Sequence, residues 1–257
     1  MLKISSKHKK IVIKVGSAVL SNNSGGIKKK VMLNIAHDIA MLSKNKEVVL
    51  VSSGSIAMGK KILPKMHEMS LAESQAIAAI GQVDLMLAWK EVFKKFSLNV
   101  GQILLTPKEI ETKKDRNNAI KTINQLHKFG AIPVINENDT TATDEIQFGD
   151  NDLLAAKIAK ILGADLLILL SSIDGLYDNF SDARSRKIIR EVNKINSPVK
   201  KLAAGSGNLG KGGMKSKIQA AEIMLKIGSE MVIANGNAKD PILTLKKTLS
   251  GTWFKKD

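Results

Sequence analysis

The 257-residue chain is 44% hydrophobic and 4% aromatic, has no cysteine, and carries 40 Lys+Arg against 24 Asp+Glu for a formal charge of +16. This length can bury a full domain core, and the composition excludes global disorder, disulfides, thiolate catalysis and cysteine metal sites. No run of 18 apolar residues and no leader-type N-terminus occurs, so a cytoplasmic protein is expected and a membrane role is not. The excess charge fits a solvated basic face, an anionic substrate or nucleic acid. The scarcity of aromatics leaves little material for base stacking.

Short β-branched runs predict strands at 11–15, 48–51, 100–105, 131–135, 166–170 and 231–234. Helical spacing predicts helices at 31–42, 71–93, 116–129, 153–162 and 214–227, the second of them interrupted at Gly81. Strands that are almost wholly apolar and alternate with helices indicate an α/β protein with a largely parallel sheet covered on both faces. Ligands of such sheets bind beyond the carboxyl ends of the strands, where Gly, Ser, Asn and Asp gather here.

Four stretches stand out. IVIKVGSAVL sets Lys14 inside a strand and Gly16 just after it. An ammonium has no packing use in a buried strand, so Lys14 is either a fixed cation facing phosphate or an edge residue that snorkels. GSGNLGKGGMKSKIQAA holds five glycines between Gly205 and Gly213 ahead of a helix, with Lys211, Lys215 and Lys217 close by. It suits an anion at a helix N-terminus, or a solvated loop. Its spacing is neither a Walker A sequence nor a dinucleotide fingerprint.

NENDTTATDEIQFGDND gathers six carboxylates within 136–152, and no Lys or Arg occurs between Lys128 and Lys157. SSGSIAMG follows the second strand and serves equally as a binding loop or a helix cap. His8, His37, His67 and His127 have no metal-ligand spacing.

Taken with QAIAAIGQVDLM, VGQILLT, IPVINENDT, FGDNDLLAAKIA and DGLY, these stretches resemble the amino acid kinase family, most closely its glutamate 5-kinase branch. The resemblance runs over nearly the whole chain. It implies a three-layer α/β/α sandwich around a largely parallel sheet, as a single domain spanning 1–257. The part before about 153 would mainly bind the carboxylate substrate and the part after it the nucleotide. It also implies transfer of phosphate from ATP, with Mg2+, to the side-chain carboxylate of L-glutamate, giving L-glutamyl 5-phosphate for proline synthesis.

By the same resemblance, Lys14 and Lys217 flank the transferring group and Asp152 organises them. Ser53, Asp139 and Asn151 bind glutamate, with Asn136 and Glu137 nearby, and Asp150 is the candidate metal ligand. Gly16, Ser171, Ser172 and the run Lys211, Gly212, Gly213, Met214, Lys215, Ser216 and Lys217 contact the nucleotide, together with Lys14. A homo-oligomer, dimer or tetramer, is implied, as is delivery of product to glutamate-5-semialdehyde dehydrogenase. Three features depart from the family pattern. Ser171-Ser172 replaces a Thr-Asp pair, Lys211 stands where Thr is usual, and the C-terminal RNA-binding-type PUA domain of many members is not expected. The alternatives are a nucleic-acid binder on a vestigial kinase fold, and a kinase for another carboxylate, carbamate or nucleotide.

Overall fold

The computed structural model describes residues 4–22, 26–62, 69–141, 151–179, 186–204, 213–247 and 250–256. The strands are β1 Lys10–Val15, β2 Glu47–Ser52, β3 Val100–Leu105, β4 Ile132–Glu137, β5 Leu166–Ser171, β6 Glu191–Val192, β7 Glu230–Asn235 and β8 Thr252–Phe254. The helices are α1 Ser17–Leu20, α2 Lys29–Ser43, α3 Ser55–Gly59, α4 Leu71–Lys94, α5 Pro107–Glu111, α6 Lys113–Lys128, α7 Asn151–Leu162, α8 Ser197–Ala204, α9 Met214–Lys226 and α10 Thr244–Lys247.

The strands form one sheet in the order β3-β4-β2-β1-β5-β7-β8-β6, parallel except where β8 meets β7. Period-two alternation divides its side chains between two cores. On one face Ile11, Ile13 and Val15 join Met32, Ile35 and Ile39 of α2 and Trp89 of α4. On the other, Val12 joins Ile123 of α6, Ala155 and Ile158 of α7, and Ala221 and Met224 of α9. The result is the expected three-layer α/β/α sandwich.

Topology puts the crevice beside β1. The chain leaves β1 through α1 and α2 on the first face to reach β2, and leaves β5 through α9 on the second face to reach β7. Adjacent strands whose connections diverge to opposite faces leave an opening beyond their carboxyl ends. β1 pairs with β2 on one side and β5 on the other, with Lys14 opposite Val51 and Leu169. Lys14 is therefore central, and the edge-strand alternative falls.

Helix α4 is continuous through Gly81, contrary to the expected interruption. It starts at a capping box in which Ser70 and Glu73 satisfy each other's backbone amides. The glycine serves a close crossing. A Cβ at Gly81 would lie 1.9 Å from the Ser55 carbonyl oxygen, and one at Gly59 would lie 2.0 Å from that of Ile77. Backbone-to-backbone contact between α3 and α4 thus fixes the loop that follows β2.

Candidate active site

Lys14 and Val12 point to the same side of β1, toward the first turns of α7 and α9. That turn of α7 supplies Asp152, fully buried, and α9 supplies Lys217. Lys14 Nζ lies 2.5 Å from Asp152 Oδ1, and Lys217 Nζ lies 2.9 Å from Asp152 Oδ2. Ser216 Oγ donates to the Gly213 carbonyl at 2.8 Å and lies 3.2 Å from Asp152 Oδ2. Both oxygens of one carboxylate are thereby held from two different elements.

Burial alone pushes the Asp152 carboxyl up, but the two ammonium groups outweigh it and hold it at about 2. Two cations and one anion leave a net charge of +1 in a site where Lys14 and Lys217 are only 6% and 5% exposed. The positive ends of α7 and α9 add to it. Such a centre is built to receive an anion. Among the described residues it offers no general base, because Asp152, held at about 2, is a weak base with both oxygens engaged.

A Cβ at Gly16 would come 3.8 Å from Lys14 Nζ. The Gly16 amide itself donates to the Leu170 carbonyl at 3.1 Å, so it is not the anion donor that a glycine turn there suggests. On α9, Lys215 faces solvent while Ser216 and Lys217 turn inward, and Met214 is packed in the core. The Met214 side chain is therefore a core residue. Lys211, Gly212 and Asp150 lie outside the described residues.

A second cluster adjoins this centre through Asn151, the neighbour of Asp152. Asn151 Nδ2 donates to Ser53 Oγ at 2.8 Å and to Asn136 Oδ1 at 2.9 Å. Asn136 Nδ2 donates to Gln82 Oε1 at 2.7 Å. Asp139 accepts from Ser55 Oγ at 2.7 Å, and the Trp89 indole donates to Ser52 Oγ at 2.8 Å. Ser53, Asp139 and Asn151, singled out from sequence, thus gather from the loop after β2, the loop after β4 and the start of α7. Sequence reasoning does not find Gln82 or Trp89. The one available signal for Gln82 is its place one residue after Gly81, on the helix that crosses this loop.

Ser171 and Ser172 stand at the carboxyl end of β5, where the Ser171 carbonyl accepts from the Gly236 amide at 2.8 Å. They are not drawn into the lysine–aspartate centre. Beside them is a cavity of about 210 Å3 lined in part by Asp174, Arg190, Asn235 and Thr244. Asp174 is hydrogen-bonded to Asn235 and Tyr177. A larger concavity lies elsewhere, at the amino ends of the strands among Lys9, Lys44, Lys46 and His127, and it includes no residue of the site.

Residues 9–235 match the amino acid kinase family. The chain belongs to that family. Its relatives among curated proteins include the glutamate 5-kinase of Pelagibacter ubique. That relative is 45% identical over 95% of this chain and 67% of its own length. The glutamate 5-kinase of Agrobacterium fabrum is 44% identical over 97% of this chain and 65% of its own length. This amino acid kinase thus spans about two thirds of the length of the curated relatives it matches. Its fold is similar to that of a carbamate kinase from Giardia lamblia bound to AMP-PNP, with a TM-score of 0.66, 18% identity and coverage of 98% and 100% of the two chains. A UMP kinase from Ureaplasma parvum gives 0.63 at 18% identity, covering 96% and 99%.

Proposed function

We propose that this amino acid kinase transfers the γ-phosphoryl group of ATP to the side-chain carboxylate of L-glutamate, forming L-glutamyl 5-phosphate, the first step of proline biosynthesis. The buried Lys14–Asp152–Lys217 centre, with its net positive charge and its contact with the Asn151 cluster, is the observation that carries this reading. The glutamate 5-kinases at 44–45% identity support the choice of glutamate over other acceptors.

A glutamate carboxylate, with an ordinary pKa near 4.3, is ionised at neutral pH and attacks without a base. The obstacle is repulsion between an anionic nucleophile and a polyanionic donor. Lys14 and Lys217 would meet the charge on the transferring oxygens, and Asp152 would keep both ammonium groups in place. Ser53, Asp139 and Asn151 would hold glutamate, with Asp139 facing its ammonium group. ATP would lie along the carboxyl ends of β5 and β7, against Ser171, Ser172 and the turn that enters α9. The division of labour near residue 153 follows, with substrate loops before it and nucleotide loops after it.

Mg2+ would travel with the ATP phosphates and screen their charge. Both oxygens of Asp152 are engaged by lysines, and the candidate metal ligand, by resemblance to the family, is Asp150. The enzyme would work in the cytoplasm as a homodimer or homotetramer and pass its labile product to a glutamate-5-semialdehyde dehydrogenase. Among the described residues no helix is long and apolar enough to cross a membrane.

The test is ADP release measured with L-glutamate, aspartate, N-acetylglutamate, carbamate and UMP as acceptors. Glutamate should give the highest kcat/KM. A higher value for any other acceptor would overturn the assignment.

A further inference from the structure

The hydrogen bonds that link Gln82, Asn136, Asn151 and Ser53 have a direction, and one backbone amide sets it. The Glu137 N–H can only donate, and it lies 2.9 Å from Asn136 Oδ1. That oxygen is therefore the acceptor, which turns Asn136 Nδ2 toward Gln82 and requires Gln82 to present Oε1 at 2.7 Å. The same oxygen requires Asn151 to present Nδ2, whose second hydrogen goes to Ser53 Oγ. Ser53, having accepted, keeps its own hydrogen to donate. Asn151 Oδ1 is left as a buried acceptor without a partner among the described residues, on a residue 7% exposed. Buried carboxamide oxygens are rarely left so unless something arrives to use them.

We infer that Gln82 is a positioning residue for the amino-acid substrate: through Asn136 it fixes Ser53 as a donor and Asn151 Oδ1 as an acceptor. A donor beside an acceptor suits a zwitterion, with carboxylate toward the serine hydroxyl and ammonium toward the amide oxygen. Gln82 touches no reacting atom. Its side chain sits on α4, one residue beyond the glycine that presses this helix against the substrate loop, so helix and relay are set together. Without its oxygen, Asn136 Nδ2 loses its acceptor and the carboxamide is free to turn away from both Glu137 and Asn151.

This inference rests on the proposed glutamate reading, and calorimetry separates the two. L-Glutamate is titrated into wild-type protein, Gln82→Met, Asn136→Ala and the double variant, alongside steady-state kinetics and thermal melts. Gln82→Met should weaken glutamate binding and raise its KM about tenfold, the scale of one buried hydrogen bond. The KM for ATP, kcat and the melting temperature should stay close to wild type, and Gln82→Met should add nothing in the Asn136→Ala background. Unchanged glutamate affinity would overturn the inference, and so would a full additive loss in the double variant. Equal losses in glutamate affinity, ATP affinity and melting temperature would overturn it too. Gln82→Leu is a second apolar replacement, and failure of both to fold would make Gln82 a packing residue and reject the proposal. If wild-type protein binds no glutamate, the function proposed above falls, and the same ratios are read on whichever acceptor it turns over.

Discussion

Lys14 and Lys217 hold opposite oxygens of a single buried carboxylate, one from a central strand and the other from the first turn of a helix more than 200 residues later. The arrangement joins stability to chemistry. Each lysine is ordered by Asp152, and neither needs substrate to be placed. Preorganised cations act on developing charge without reorganising at the moment of transfer.

Replacing either lysine with alanine should cut kcat on the order of 10²–10³-fold, the usual scale for one lost donor to a developing anion. Circular dichroism should show the fold retained while steady-state ADP release collapses. Near-normal turnover in Lys217→Ala would remove that residue from the catalytic centre.

Asp152→Asn should be worse for stability than either lysine change, because it strands two buried ammonium groups. Breaking a buried ion pair costs about 3–5 kcal/mol. Asp152 is lowered from 3.8 to about 2. Its contribution is therefore fully present above the ordinary value and is lost as pH falls through about 2. Urea melts of wild type and variant should differ most near neutrality and converge toward pH 2. The kcat/KM profile should show no ionisation assignable to Asp152 above about pH 4.

Gly81→Ala adds only a methyl group, yet places it 1.9 Å from the Ser55 carbonyl oxygen. Overpacking of this kind costs about 1–3 kcal/mol, and the strain here falls on α3 and the serines before it. The variant should melt earlier and show a raised KM for the amino-acid acceptor with the KM for ATP little changed. Alanine is the better helix former, so a stabilised Gly81→Ala would contradict the close crossing.

Glu230 gives a separate test of pH dependence away from the site. Its side chain takes the His8 imidazole at 3.2 Å and the Lys7 ammonium, tying the N-terminal segment to β7. His8 leads the effects that hold its carboxyl at about 2, below the ordinary 4.5. Glu230→Gln should lower the melting temperature at pH 7 by about 2–4 °C, equivalent to about 1 kcal/mol. The difference should shrink as pH falls from about 4.5 toward 2.

Much of the fold and the site is legible in the sequence for a simple reason. A fully buried parallel strand such as 166–170 must be apolar throughout, so Lys14 in an otherwise apolar strand stands out as a charge that needs a use. Helices of 12 residues or more likewise show their period. The short α1, α3, α5 and α10 are not legible, nor are β6 and β8, because two to five residues contain no period. Long-range pairing is equally hidden: nothing local to Gln82 says that Asn136 is its partner, or that Ser55 faces Asp139. Gly81 misleads because a glycine inside a helical pattern looks like a break, whereas its use is a neighbour distant in sequence. The +16 charge has no single destination. Lys10, Lys29, Lys157, Lys200 and Lys255 pair with surface carboxylates, and Lys14 and Lys217 converge on one buried carboxylate.

The most direct test is chemical capture of the product. Wild-type protein and Lys217→Ala are incubated with ATP, Mg2+, L-glutamate and hydroxylamine, and γ-glutamyl hydroxamate is quantified against ADP. Hydroxamate formed by the wild type in step with ADP, and lost on the order of 10²-fold or more in the variant, is the predicted result. ADP release without hydroxamate, or hydroxamate formation undiminished in Lys217→Ala, would contradict transfer to the glutamate carboxylate at this centre.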